Sequence, residues 1–210
     1  MEKITVSLIK ADVGGFPGHS AVHPDVKRGA NKELKQANLG GLFVDDHLRH
    51  AGDDLQLLMG HHKGVDSDKI NGLAWNTFEA ATEVAKELKL HGAGQDLLVD
   101  AFSGNIRVMG PGIAELEFQE RGSEPLVAFM MDKTELGAFN YPIYKIFVDL
   151  FNTVGLVVDP TMHDGYIFEV WDIKKKRVFL RTPEELYSLL ALIGAKSEYV
   201  IKRVFPKEGN

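Results

Sequence analysis

The sequence predicts an α+β protein in which helices cover a largely antiparallel sheet system, rather than an all-parallel sheet. Runs with period-two alternation recur in neighbouring pairs that read as hairpins, and two long stretches place apolar residues at helical spacing. With 44% hydrophobic residues, 12 Phe and 26% charged residues in 210, the chain has the composition of an ordered protein with a substantial core. The length fits one domain spanning residues 1–210.

The first element is a strand at 4–9, where Ile4, Val6 and Leu8 alternate with polar residues until the pattern breaks at Ala11-Asp12-Val13-Gly14-Gly15. Asp12 thus stands where a strand hands over to a glycine loop. A helix follows from Pro24 to Asn38, with Val26, Ala30, Leu34 and Ala37 on one stripe and Gly40-Gly41 as the stop. Strands at 42–50 and 55–61 flank Gly52-Asp53-Asp54. A long helix over 67–90 opens on Asp66-Ser67 as a cap and carries Ile70, Leu73, Thr77, Ala81, Val84 and Leu88 along one side. Two glycine-rich passages, 91–96 and 103–105, read as loops at the sheet edge. Strands are predicted at 113–120 and 125–131, the second running straight into Asp132-Lys133-Thr134. A helix at 141–151, strands near 155–158, 166–173 and 177–181, a helix from the cap Thr182-Pro183 to Gly194 and a strand at 198–204 complete the order.

Cysteine is absent, which excludes disulfides, thiolate metal sites and cysteine nucleophiles; any metal must bind through oxygen or imidazole. A net charge of −6 argues against nucleic acid as a general partner, since phosphate neutralisation calls for a basic surface. The basic run Lys174-Lys175-Lys176-Arg177 reads as a solvated turn between strands. No stretch reaches the length of a membrane span, and the N-terminus enters a strand pattern without a signal-peptide core, so residence in the cytoplasm is expected.

The chemistry is carried by acids at strand ends. Three stretches, Lys10-Ala11-Asp12, Ala51-Gly52-Asp53-Asp54 and Met130-Met131-Asp132-Lys133, finish an apolar run with a carboxylate and a loop. Each Asp alone reads equally well as a turn residue. Together, four carboxylates repel one another unless raised pKa values or bound cations offset the repulsion, and hard oxygen ligands suit Mg²⁺, Mn²⁺ or Ca²⁺. His19, in the glycine loop after Asp12, can fold back beside it, whereas His47, His50, His61 and His62 lie in strand surroundings and read as exposed or hydrogen-bonded. Lys133 can meet a phosphate as a point charge.

Longer strings then carry a resemblance: IKADVGGFPGHSAVHP, GDDLQLLM, GLAWNTFEAATEVAKEL, GAGQDLLVDAFSGN, GPGIAELE, DKTELGAFN, FNTVGLVVDPTMH and TPEELYSLLALIGAKSEYVIKRVFPKEGN. In this order they resemble the archaeal-type (class V) fructose-1,6-bisphosphate aldolase/phosphatase family over essentially the whole chain. The resemblance implies a four-layer α-β-β-α sandwich, assembly as a homo-oligomer (an octamer in the family), and a gluconeogenic enzyme using several Mg²⁺ ions, with Mn²⁺ as a substitute. Its substrates would be fructose 1,6-bisphosphate and dihydroxyacetone phosphate. By the same resemblance Asp12, His19, Asp53, Asp54, Gln95 and Asp132 match metal ligands, and Asp12 also matches the base of the phosphatase step. Ser103, Gly104 and Lys133 match substrate contacts, His19 and Asp132 are expected to contact substrate as well, and His91 stands at a substrate-contacting position.

The resemblance has departures. The Schiff-base lysine, the tyrosine acid/base and further acidic ligands of the family lie beyond residue 210, so no aldolase activity is expected of this chain. Leu136 and Leu150 stand where the family has Pro, Val108 where it has Gly, and His91 where it has a substrate-contacting Tyr. The alternative expectation is a truncated, inactive remnant that binds metal and phosphate or serves assembly.

Overall fold

The computed structural model describes residues 3–98, 110–120, 126–132, 136–148, 164–174 and 176–207. They divide into two compact units, Met1–Asp132 and Lys133–Asn210. As the sequence predicts, the class is α+β with antiparallel sheets, one four-stranded and one three-stranded.

The first unit runs β1 (Lys3–Asp12), α1 (Pro24–Asn38), β2 (Asp45–Ala51), β3 (Asp54–His61), α2 (Asp68–Glu87), a 3-10 turn (Gln95–Leu98) and β4 (Gly112–Gln119). Strand order is β2-β3-β1-β4, every pairing antiparallel. One sheet face receives both helices. Ile9 and Ala11 of β1 and Leu55, Leu57 and Met59 of β3 pack there on Val26, Ala30 and Leu34 of α1 and Ile70, Phe78 and Ala81 of α2. Each fully buried Leu or Ile contributes roughly 2 kcal/mol by transfer from water. Residues Ile4, Val6 and Leu8, whose alternation announces the strand, lie on the other face and are half-buried. That other face also carries Lys10, Asp12, Asp54 and Gln56, because side chains alternate and Lys10 pairs with Gln56 and Asp12 with Asp54.

The second unit holds α3 (Asn140–Phe147), β5 (Tyr166–Asp172), β6 (Arg177–Thr182), α4 (Leu186–Gly194) and β7 (Tyr199–Pro206), with strand order β6-β5-β7. Phe168, Val170, Leu189, Ile193 and Ile201 form its core. Asn140, 2% exposed, ties the unit together: its amide nitrogen donates to Ile193 O and Tyr199 O, and its Oδ1 accepts from Ile201 N. Of the basic run, Lys174 and Lys176 lie between β5 and β6, and Lys176 N donates to Asp172 Oδ1.

Three expectations differ in detail. Residues 126–131 form no strand: Leu126 and Val127 are 47% and 57% exposed, and an apolar run becomes a strand only where a neighbour offers a ladder. Thr182 ends β6 instead of capping α4, because its hydroxyl donates to Tyr166 O across the sheet. Ser67 occupies the N-cap position of α2 without a side-chain cap bond. The predicted strand at 155–158 lies outside the described residues. Among the described residues no helix is long and apolar enough to cross a membrane.

Candidate metal and phosphate site

Three local features deliver carboxylates to one end of the first sheet. The β2–β3 hairpin closes through two residues, Gly52 and Asp53, with Ala51 paired to Asp54 and Gly52 at φ +58. A glycine at the first position of such a turn meets its positive φ without steric cost. The turn therefore projects Asp53 and Asp54 beside the end of β1, where Asp12 lies directly opposite Asp54. The third contributor is Asp132: a Cβ added at Gly52 would sit 2.5 Å from its Oδ2, so the turn and the 126–132 segment touch.

The acids form two groups that share Asp53. One ligand atom each from Asp12, His19 and Asp53 lies within 4.8 Å of the others, and the same holds for Asp53, Asp54 and Asp132. Asp12, Asp53 and Asp54 are buried, at 6%, 0% and 4% exposure. His19 donates from Nδ1 to Asp53 Oδ2 at 2.5 Å, and Asp12 Oδ1 accepts from Gly14 N. The Lys10 ammonium donates to Asp54 Oδ2, to Met131 O at 3.1 Å and to Asp132 O at 2.6 Å. Burial pushes the Asp54 carboxyl up to about 6 from an ordinary 3.8; Lys10 opposes the rise, and Asp132 and Asp12 add to it.

The loop after α2 closes the site. Gly15 and His91 exchange backbone hydrogen bonds at 3.1 Å, and the His19 and His91 rings meet edge to face at 5.2 Å. A Cβ added at Gly92 would lie 3.5 Å from Gln95 Oε1 and 3.9 Å from Asp12 Oδ1, so the Gln95 amide and Asp12 face one gap. Asp96 accepts from Asp12 N at 2.9 Å.

The predicted residues Asp12, His19, Asp53, Asp54, Gln95 and Asp132 thus gather around one strand end, with His91 at its rim. Ser103, Gly104 and Lys133, with Val108 and Leu150, lie outside the described residues. His61 is buried against Ser7, His62 bonds Lys3 O and His50 bonds Gly52 O, as their strand surroundings suggest. Sequence reasoning missed Lys10 and Asp96. Period-two alternation places Lys10 on the face of Asp12, a signal that was available; nothing local marks Asp96.

The donor set is carboxylate oxygen, one amide oxygen and imidazole, without sulfur, and it fits hard divalent cations such as Mg²⁺ or Mn²⁺. Carboxylates packed this closely repel one another, and a bound cation offsets that repulsion. Asp12, Asp53, Asp54, Asp132, His19 and Gln95 are the side chains that would hold such ions.

A family model described as fructose-1,6-bisphosphatase matches residues 3–210. The chain is 66% identical over 210 residues to the fructose-1,6-bisphosphate aldolase/phosphatase of Thermococcus onnurineus, covering 100% of this chain and 56% of that protein. The protein of the same name from Thermococcus kodakarensis is 63% identical over 210 residues, with coverage of 100% and 56%. That from Methanocaldococcus jannaschii is 54% identical over 209 residues, with coverage of 99% and 54%. The chain spans about half the length of these curated relatives.

Proposed function

Because the chain belongs to the fructose-1,6-bisphosphatase family, we propose that it binds fructose 1,6-bisphosphate and releases phosphate with the help of Mg²⁺, or Mn²⁺ in its place. The observation that carries the reading is the meeting of two ligand groups, Asp12–His19–Asp53 and Asp53–Asp54–Asp132, through a shared carboxylate. Bound cations supply polarisation of the phosphoryl oxygens and neutralise charge that develops on them.

The chain's own residues supply the rest. Asp12, its Oδ1 held by Gly14 N–H, takes the proton of the attacking water. His19 orients Asp53 through its Nδ1–H, and before a cation binds Lys10 holds Asp54 and the backbone at Asp132 in place. His91, at the mouth beside His19, offers a ring N–H to a phosphate oxygen. Aldol chemistry on dihydroxyacetone phosphate is not assigned to these residues. Lys10 donates to Asp54 and two carbonyls, which leaves its nitrogen no lone pair for imine formation. The same reading places the protein in gluconeogenesis, in the cytoplasm and in a homo-oligomer.

The test is phosphate release from fructose 1,6-bisphosphate with Mg²⁺, with and without chelator. Turnover that stops with chelator and falls at least about 100-fold in Asp12→Asn is expected, within the range that general-base catalysis contributes. Turnover indifferent to chelator, or cation-independent melting together with no turnover, overturns the reading, because a ligand of the folded state must raise its stability.

A further inference from the structure

Two buried amides in this molecule are treated in opposite ways. Asn140 uses both ends of its amide in three hydrogen bonds. Gln56, 1% exposed, has neither its Nε2 nor its Oε1 paired among the described residues. A buried unpaired amide destabilises a fold, and native structures keep few of them without a reason. Gln56 stands on the same face of the sheet as Asp54, two residues along β3, and directly opposite Lys10 in the β1–β3 register. Lys10 in turn reaches past it to Asp54 Oδ2 and the carbonyls of Met131 and Asp132.

These two observations combine. In the cation-free chain the Lys10 ammonium occupies the neighbourhood of Asp54 that a divalent cation would need. A cation on Asp54 repels that ammonium at close range in a poorly hydrated site. Lysine has a flexible four-carbon stem, and its head group can move to an acceptor close to its own root. The amide oxygen across the strand pair is such an acceptor, and it is vacant.

We propose that Lys10 is an exchangeable internal cation of this site, displaced from Asp54 when a divalent cation binds and received by the Oε1 of Gln56. The proposal rests on the cation-binding reading above. Lys10 and Gln56 are then positioning residues: the first keeps Asp54 and Asp132 assembled when no cation is present, and the second holds the ammonium clear when one arrives. The amide oxygen has a partner in one state and lacks it in the other, which accounts for an unpaired acceptor in a buried strand.

The experiment is calorimetric titration of the full 210-residue chain with Mg²⁺ and with Mn²⁺, on wild type, Lys10→Met, Gln56→Met and the double variant. Lys10→Met is expected to melt earlier in chelator yet bind cation about 10-fold tighter, since no ammonium has to leave; each factor of ten is one decade in Kd. Gln56→Met is expected to melt no earlier in chelator and to bind cation about 10-fold more weakly. In the Lys10→Met background the Gln56→Met effect disappears, which is the coupling that a double-mutant cycle isolates. A purely structural role for Lys10 predicts the reverse sign, weaker cation binding in Lys10→Met, and that result overturns the proposal.

Equal cation affinity in wild type and Gln56→Met overturns it as well and leaves the cation site standing. Absence of cation binding in wild type overturns both the site and the exchange. Should Lys10→Met fail to fold, the side-chain amide signals of Gln56 in a nitrogen-edited NMR spectrum decide the matter: they shift on Mg²⁺ addition if the ammonium arrives, and a stationary pair of signals counts against it.

Discussion

The four-stranded sheet handles polar side chains in opposite ways at its two ends. At the end away from the acids, Ser7 and His61 are both fully buried. Lys63 N–H donates to His61 Nδ1, so Nε2 carries the proton and donates to Ser7 Oγ at 2.8 Å. Ser7 in turn donates to Glu115 Oε1 at 2.5 Å, and Asp66 N donates to Glu115 Oε2 at 2.6 Å. The polar atoms form a closed chain linking β1, β3, β4 and the turn before α2. At the other end Asp12, Asp53, Asp54 and Asp132 crowd together, and burial, with the charges of Asp132 and Asp12 adding to it, lifts Asp54 to about 6. A closed network is a structural element that needs nothing from outside. A crowd of acids calls for offsetting charge, from a proton or from a cation, internal or bound.

The sharpest way to break the contrast is to remove the carboxylate common to both ligand groups. Asp53→Asn keeps the volume and takes away the charge. Cation affinity is expected to fall at least about 100-fold, the top of the range that even outer-shell partners of a metal site carry. The rise in melting temperature with Mg²⁺ is expected to vanish, while the cation-free chain loses little, since it is relieved of one of its mutually repelling charges. Unchanged cation affinity in this variant would place the ions elsewhere.

The opposite experiment acts on the closed network. Ser7→Ala leaves the buried His61 Nε2–H and an oxygen of the half-buried Glu115 without their shared partner. About 1–3 kcal/mol of stability is expected to be lost, as for other buried groups stripped of a hydrogen bond. Cation affinity is expected to stay within a factor of two, because Ser7 lies on the helix-facing side of β1, opposite to the face that carries Asp12. Denaturant melts together with a cation titration check both halves of the statement.

The two ends were not equally legible in the sequence. Strand-like runs that end in an acid, at Asp12, Asp53 and Asp132, are local patterns, and the hairpin turn at Gly52 and the glycine loop after Asp12 turn the first two into shared geometry. The helical stripes of α1 and α2 were equally plain, since burial at Val26, Ala30, Leu34, Ile70 and Ala81 follows the 3.6-residue period. The Ser7–His61–Glu115 chain, the Lys10 contact with Asp132 and the Asp96 bond to Asp12 depend on partners 54 to 122 positions away, to which no local period points. The apolar run at 126–131 failed as a strand for the same reason: strand formation depends on a neighbour, and only the fold supplies one.

The smallest expected effect separates the two ends by pH. Burial lowers the pKa of His61 below its ordinary 6.5; Glu115 works against that shift, and His62 and Lys63 reinforce it. The unfolded chain therefore takes up this proton before the folded one does. The contribution of neutral His61 to stability is complete above pH 6.5 and is lost as pH falls through 6.5 toward the lower folded value, with a slope of at most about 1.4 kcal/mol per pH unit. Asp54 acts in the other direction: its raised pKa means the folded state binds the proton more tightly, so cation-free stability falls as pH rises from 3.8 toward about 6. In wild type the two slopes partly cancel. In the Asp54→Asn background only the His61 slope is left, and urea melts in chelator between pH 7 and 5 are expected to show a steeper acid loss than wild type. The His61 ring protons, followed by NMR across the same range, are expected to titrate below 6.5 in both proteins; titration at or above 6.5 would mean that the closed network does not hold the ring neutral.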